Sequence, residues 1–339
     1  MDLESAVKIV AISKLFKKNV DEIGEYLSFG GDFSTEVAIS SIDFKTFCSN
    51  LKSYLAQKND IHLITYWDEE YPDMLRNIQD APVYLFVKGN PEFLNYNLFS
   101  VVGTRRMTSY GKHVTEQFVS EIAKHFVVVS GMAYGVDTIA HSTALRMNKP
   151  TVAVLGCGVD VVYPKSNKEL YEEIIKNGCV VSEYLPWDRP QKYTFVLRNR
   201  IISGLSKGIL VTEAGIESGA LITARFALEQ GRDIFAIPGD ISRPSSHGTN
   251  YLIKNGAFLV SDPRDILEYY GFKEHKVFAE LSDEERVVIK FIDDEISIEE
   301  LSYKTGFEFS QLLLLLTTLE LKGLIYKTER GLYAPSISI

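Results

Sequence analysis

Phe99-Ser-Val-Val-Gly-Thr-Arg-Arg-Met-Thr-Ser-Tyr-Gly111 is the stretch from which the fold can be read. Its apolar residues stop at Gly103, two arginines follow, and a helical pattern sets in near residues 110–111. That order predicts a buried strand handing a cationic, glycine-hinged loop to the start of a helix. Free N–H groups and the helix dipole suit such a place to an anion. One loop of this kind reads as an ordinary turn with surface arginines; a convergent set reads as a phosphate-lined cleft.

Outward from this stretch the pattern repeats. Short apolar runs occur at 99–103, 126–131, 151–156, 179–183, 208–212, 233–239 and 257–261, with 81–89 as an earlier strand. Helical spacing fills 111–125, 136–148, 167–177 and 218–230 between most of them. Alternating strands and helices predict a doubly wound, mostly parallel sheet of Rossmann-like type, covered on both faces. Right-handed crossovers then bring the strand-to-helix loops to the carboxyl edge, where such sheets bind ligands.

The flanks differ. Residues 1–65 carry helical stripes (Leu3, Val7, Val10, Ile12 and Leu15; Phe47, Leu51 and Leu55) around a turn-like 28–33, and read as a small helical domain. Residues 66–270 form the Rossmann-like domain and 271–280 a charged linker. In 281–339, three helices (282–293, 297–305, 309–321) and a hairpin turning at 329–331 predict a winged helix. Ser282-Asp-Glu-Glu285 and Ser297-Ile-Glu-Glu300 match capping boxes at two of those helix starts.

Composition narrows the class. The 339 residues are 45% hydrophobic, enough for a sizeable core. Cys48, Cys157 and Cys179 are odd in number and far apart, which favours a reducing compartment. With no leader pattern and no membrane-length apolar run, the chain reads as soluble and cytoplasmic, with no membrane partner. Net charge is −9, but residues 271–339 hold 8 Lys or Arg against 13 Asp or Glu. The acidity is thus concentrated in the last fifth, and a near-neutral middle can still carry a basic cleft.

Five loops carry candidate chemistry. In the first, Gly103 permits a sharp turn beside Thr104, and Arg105 or Arg106 offers a planar fork for phosphate oxygens. The second, Ser130-Gly-Met-Ala-Tyr-Gly135, repeats the glycine-then-helix logic through Ser130, Gly131 and Gly135. Asp137 and His141 beyond it read more readily as a structural pair or cap than as a functional one. The third places Gly156 and Gly158 around Cys157, a small residue between glycines with no partner base nearby, and leads to Lys165 as a phosphate contact. The fourth holds Arg198, Asn199 and Arg200; the fifth, Thr212–Thr223, starts a helix at Ser218-Gly219. The dinucleotide fingerprint G-x-G-x-x-G, the P-loop, metal-ligand spacing and a nucleophile–base–orienter set are all missing, so no cofactor and no catalytic residue is assigned.

Taken in order, Val102-Gly-Thr-Arg105 with Tyr110-Gly111, Ser130-Gly-Met-Ala-Tyr-Gly-Val-Asp137 with His141, Tyr163-Pro164, Ser182-Glu183, Arg198-Asn-Arg-Ile-Ile202, Thr212-Glu-Ala214, Ser218-Gly219 with Thr223, and Pro238-Gly239 resemble the DNA-processing protein A family (DprA, also called Smf). Gly248-Thr-Asn250 and Gly256-Ala257 extend the match, which runs without interruption over roughly 66–270. The resemblance implies an extended Rossmann-like core, usually dimeric, with a sterile-alpha-motif-like N-terminal domain and a C-terminal winged helix. It implies single-stranded-DNA binding and protection, help in loading the RecA recombinase during natural transformation, and no catalysis. It further implies that Arg105, rather than Arg106, makes the phosphate contact, that Lys165 lies in the basic pocket, and that Arg198 and Arg200 border it. Stacking of bases would fall to Tyr134, Tyr163, Tyr184 or Tyr193, each of which also suits core or rim packing.

Two rivals stand beside this reading. A nucleotide phosphoribohydrolase on a related fold would use Glu213 or Glu183 as its acid, although Ile209-Leu-Val-Thr-Glu213 occupies the place of that family's glycine-rich signature. A small-nucleotide sensor would use the same cleft. The expected recognition helix of the winged helix, 309–322, has only Lys322 as a cation, so major-groove reading is disfavoured against partner docking, self-association or simple packing.

Overall fold

Helices α1 (Leu3–Phe16), α2 (Val20–Ser28) and α3 (Ile42–Gln57) open the chain, followed by β1 (Ile61–Thr65), α4 (Asp73–Arg76) and β2 (Tyr84–Gly89). The alternation comes next: β3 (Leu98–Val102), α5 (Ser109–Ile122), β4 (Val127–Ser130), α6 (Val136–Arg146), β5 (Thr151–Val154), α7 (Lys168–Asn177), β6 (Cys179–Ser182), α8 (Lys192–Leu205), β7 (Gly208–Val211), α9 (Gly219–Glu229), β8 (Asp233–Ala236), α10 (His247–Lys254), β9 (Phe258–Leu259) and α11 (Pro263–Tyr269). This is a computed structural model, and it describes residues 1–28, 42–272, 281–292, 294–322, 324–328 and 331–335. They divide into the units Met1–Phe272 and Lys273–Ile339.

The nine strands of the first unit form one sheet in the order β1-β2-β6-β5-β4-β3-β7-β8-β9. From β6 to β9 every neighbouring pair is parallel, while β2 is antiparallel to both β6 and β1. Period-two alternation explains how β3 sits at its centre. Phe99 and Val101 pack with α5 and α6 on one face, Leu98 and Val102 with α8 and α9 on the other. Each fully buried side chain of this size contributes about 1.5–3 kcal/mol. The chain steps outward from β3 through β4 and β5 to β6, and then β7 returns to the other flank of β3. The order reverses there, and the loops after β3 and β7 open a crevice at the carboxyl edge.

The N-terminal helices do not stand apart. Val7, Val10, Ile12, Leu51 and Leu55 share a core with Phe86, Ala153, Val180 and Ile174 of the sheet and α7. Leu3 and Leu15, placed on the stripe from spacing, are exposed. Residues 61–65, read as part of the helical segment, form β1, paired Ile61 to Lys88 through Thr65 to Tyr84. A five-residue run cannot reveal its partner locally, and β2 supplies it. Of the turn-like 28–33, residues 29–33 lie outside the described residues.

In the second unit, α12 (Asp283–Ile289), α13 (Ile298–Thr305) and α14 (Phe309–Leu321) pack around Leu301, Leu312, Leu316 and Leu319, with β10 (Ile325–Lys327) antiparallel to β11 (Tyr333–Pro335). Ser282 and Glu285 complete a reciprocal capping box, and the Ser297 hydroxyl accepts the Glu300 N–H at 3.2 Å. Residues 329 and 330 of the hairpin turn lie outside the described residues. The outward face of α14 carries Leu313, Leu314 and Leu321 with Ser310 and Thr317, and Lys322 is paired with Glu285 at 2.7 Å. Among the described residues no helix is long and apolar enough to cross a membrane.

Candidate functional site

Loop closure at the crevice starts from Gly103. A Cβ there would meet Val136 at 2.5 Å and the Glu213 carbonyl at 2.9 Å, so only glycine lets the β3 loop pass between α6 and β7. The Thr104 N–H donates to the Glu213 carbonyl at 2.7 Å, and the Thr104 carbonyl accepts the Val136 N–H at 3.2 Å. Gly135, at φ 77°, takes a left-handed conformation against Thr104 and Arg105. The loop is thereby held from both sides, and Arg105 and Arg106 project from it, exposed.

The mouth of α5, where an anion was expected, holds the chain's own carboxylate. Buried Glu213 accepts the Thr108 N–H at 2.8 Å and the Thr108 hydroxyl at 2.9 Å, and it lies hard against Gly111. The Thr108 hydroxyl in turn accepts the Gly111 N–H at 3.1 Å. Both carboxylate oxygens are committed to fastening the end of the first loop.

A cavity of about 690 Å³ lies beyond Arg105. Its walls come from Gly103, Thr104, Arg105 and Arg106, from Tyr163, from Lys192, Phe195, Arg198 and Asn199 on α8, and from Ser218, Gly219 and Thr223 on α9. The Arg105 guanidinium lies over the Phe195 ring, 5.7 Å from its centroid, and the Tyr163 ring is 5.2 Å from the same ring. Gly156 makes room for it, since a Cβ would stand 2.7 Å from Phe195. Ser218 caps α9, accepting the Ala220 N–H at 3.3 Å, and so turns that helix start towards the cavity.

Arg198 reaches this cavity from below. It is 3% exposed, donates to the Gly131 carbonyl at 2.8 Å and to the Val154 carbonyl, and contacts Asn199 Oδ1 at 3.2 Å. Burial lowers its pKa, Asp137 opposes that, and Arg105 adds to it. Asp137 accepts the Gly131 and Ala133 N–H groups at 3.2 and 3.3 Å, and burial raises its carboxyl pKa. Asp137 and His141 serve separate partners. His141 Nδ1 contacts the Thr151 hydroxyl at 2.7 Å, and burial pushes its pKa down to about 3, so the ring is neutral.

Of the residues singled out from sequence, Gly103, Thr104, Arg105, Arg198, Asn199, Ser218 and Gly219 thus meet at one cavity. Ser130, Gly131, Gly135, Gly156 and Gly158 do not line it. They pack beneath or beside it: the Ser130 hydroxyl donates to the Val101 carbonyl at 2.7 Å, and Gly158 is pressed against the carbonyls of Leu185 and Pro186. Lys165 is exposed and outside the lining. Arg200 turns away to Glu183 at 2.5 Å and Asp80 at 3.0 Å, because neighbours on α8 point to different sides. Lys192 and Phe195 line the cavity without having been singled out. A lysine in the first turn of a helix opposes the dipole and so was a readable signal; Phe195 carried none. Among the described residues no group of three metal-ligating side chains occurs.

These features define a doubly wound α/β protein with a cleft at its topological switch point, lined by Arg105, Arg106, Lys192 and Arg198 against the carboxylates Asp137 and Glu217, with the rings of Phe195 and Tyr163. The family model for DNA recombination-mediator protein A matches residues 62–271, and that for the DprA winged helix domain matches 277–328. The chain belongs to the DprA family. It is 39% identical over 275 residues to the DNA processing protein DprA of Streptococcus pneumoniae, covering 77% of this chain and 98% of that one. A crystal structure of the S. pneumoniae protein matches with a TM-score of 0.62 at 41% identity, over 68% of this chain and 82% of the other. DNA processing protein A of Helicobacter pylori, described for its single-stranded DNA binding mode, matches with a TM-score of 0.57 at 31% identity, over 62% of this chain and 95% of the other.

Proposed function

We propose that this chain is a cytoplasmic, non-enzymatic binder of single-stranded DNA that protects the strand and helps load the RecA recombinase during natural transformation. The observation that carries the reading is Arg105 lying over Phe195, beside Tyr163, in the cavity at the switch point. Cations at the rim engage phosphates, and the two rings stack on bases irrespective of sequence. Arg105, Arg106 and Lys192 are the exposed cations, and the α9 start adds N–H donors; Arg198 supports the floor. The hydrolase alternative loses both of its named acids, since Glu213 holds Thr108 and Glu183 holds Arg200 away from the cavity.

A homodimer is part of the proposal. At one sheet edge β1 is packed against α1, whereas at the other β9 presents Phe258 and Leu259, both about half exposed, near half-exposed Tyr269. An unprotected apolar edge of this kind suits a second copy. The winged helix, with leucines and no cation on the outward face of α14, suits protein contact better than base reading.

Titration of fluorescein-labelled single- and double-stranded oligonucleotides at two salt concentrations tests the reading. Tighter, salt-sensitive binding of the single strand is expected. Equal affinity for the duplex, or binding of mononucleotides alone, would overturn it, and RecA loading is checked by filament assembly on strands coated with a single-strand-binding protein.

A further inference from the structure

Asp160 is not among the residues lining the cavity, yet this one carboxylate of the 156–165 loop is held by three partners. It accepts the Tyr54 hydroxyl at 2.5 Å and the Lys88 ammonium at 2.6 Å, with Lys58 at 3.4 Å. Lys88 also meets Asp60 at 3.1 Å. The same loop is stitched to 185–188: the Asp160 N–H donates to the Pro186 carbonyl at 3.0 Å, and the Gly158 N–H to the Asp188 carbonyl at 2.9 Å. Lys14 of α1 reaches Asp188 at 2.9 Å, and the Tyr54 ring packs edge-on against Trp187 at 4.7 Å. Two N-terminal helices thus grip two adjacent loops. One of those loops ends in Tyr163, three residues beyond Asp160, which faces Phe195. The other runs into α8, which bears Phe195.

We infer that Tyr54, on the N-terminal helix α3, is a positioning residue for strand binding, acting through Asp160 to fix the Tyr163 ring against Phe195. This rests on the cleft reading above. A stacking platform that is already ordered spares the ordering entropy at the moment of binding. The hydroxyl–carboxylate bond is charge-assisted and half sheltered, so its loss is felt by the loop it anchors. The sterile-alpha-motif-like region therefore contributes to affinity without contacting DNA.

The test is a double-mutant cycle in the full chain, read as anisotropy of a fluorescein-labelled oligothymidylate. Tyr54→Phe keeps the ring on Trp187 and removes only the hydroxyl. Alone it should weaken binding roughly three- to tenfold, part of what a hydrogen bond to a charged group is worth, with the salt slope unchanged because no phosphate contact is lost. Combined with Tyr163→Ala it should add almost nothing, since its route to the ligand is gone. A purely structural role would leave the two effects additive, and that result, or an unchanged affinity for Tyr54→Phe, overturns the inference alone. Full affinity in Tyr163→Ala would remove the stacking platform, and the inference with it. Arg105→Ala, measured alongside, reports separately on the cleft.

Discussion

Replacing Arg105 by Ala removes a cation that is exposed, lines the cavity and has no ion-pair partner among the described residues. Its guanidinium rests on Phe195 and is free to meet an incoming phosphate. A hydrogen bond involving a charged group is worth about 1.5–3 kcal/mol, so affinity for single-stranded DNA should fall by about 10- to 150-fold. The salt dependence carries a second number. Each phosphate contact on a single strand adds about 0.7 to the slope of log affinity against log salt, so the variant's slope should be shallower by about that amount. The penalty then shrinks by about 2.6-fold over a fourfold rise in salt. Anisotropy titrations across that range measure both quantities, and thermal melting should show no change, because the side chain supports no packing beyond the ring it covers. A large affinity loss with an unchanged slope would mean that Arg105 acts on the fold of the loop and not on a phosphate. An unchanged affinity would remove the cleft from consideration.

Phe195→Ala should weaken oligothymidylate binding by about 1–3 kcal/mol while leaving the salt slope intact, the reverse signature of Arg105→Ala; a slope change would refute the stacking role. Leu259→Asp places a charge on the β9 edge and should convert the proposed dimer to a monomer in sedimentation velocity; a wild-type chain that sediments as a monomer would refute the dimer, and a variant that still dimerises would move the proposed interface elsewhere. Glu213→Gln should leave a half-buried donor of Thr108 unpaired and lower stability by about 1–3 kcal/mol, measured by urea unfolding; release of free base by the native chain, lost in this variant, would revive the hydrolase alternative. His141 gives a pH effect of defined sign. Its native pKa is lowered from 6.5 to about 3, so the unfolded chain takes up the proton first, and stability falls as pH drops below the unfolded value. From about pH 7 to about pH 5 the loss from this residue alone is about 2 kcal/mol. Proton-uptake calorimetry in that window checks it, and an imidazole that titrates near 6.5 in the native state by NMR would refute it.

The alternation of strands and helices was legible because both faces of a parallel sheet are buried, which leaves continuous apolar runs that end at glycines. Phe99, Val101 and Val102 could be assigned to a strand without knowing which face each would take. The pairing of 61–65 was not legible, since a strand that completes a sheet from outside the alternation is defined by its partner β2. Arg198 and Arg200 mark the same limit at the site. Two residues apart on one helix, they point to different sides, and only the packing of α8 decides that Arg198 reaches the cavity floor while Arg200 meets Glu183 and Asp80.

At the loop after β3 the seat expected for an anion is taken by the chain's own carboxylate. Helix N-termini at a switch point attract negative charge whether it comes from a ligand or from the chain. At α5 the chain supplies it, through Glu213 at the end of β7. Occupying that seat fixes the end of the first loop to the strand on its other flank. Thr104 is bonded to the same residue's carbonyl at 2.7 Å, so both ends of the loop hang on Glu213. A loop held at both ends can carry at its tip two arginines that have no ion pair among the described residues. The role that sequence assigned to a bound phosphate at α5 is thus filled internally, which leaves Arg105, Arg106 and Lys192 at the rim and the start of α9 as the groups proposed to meet an external one.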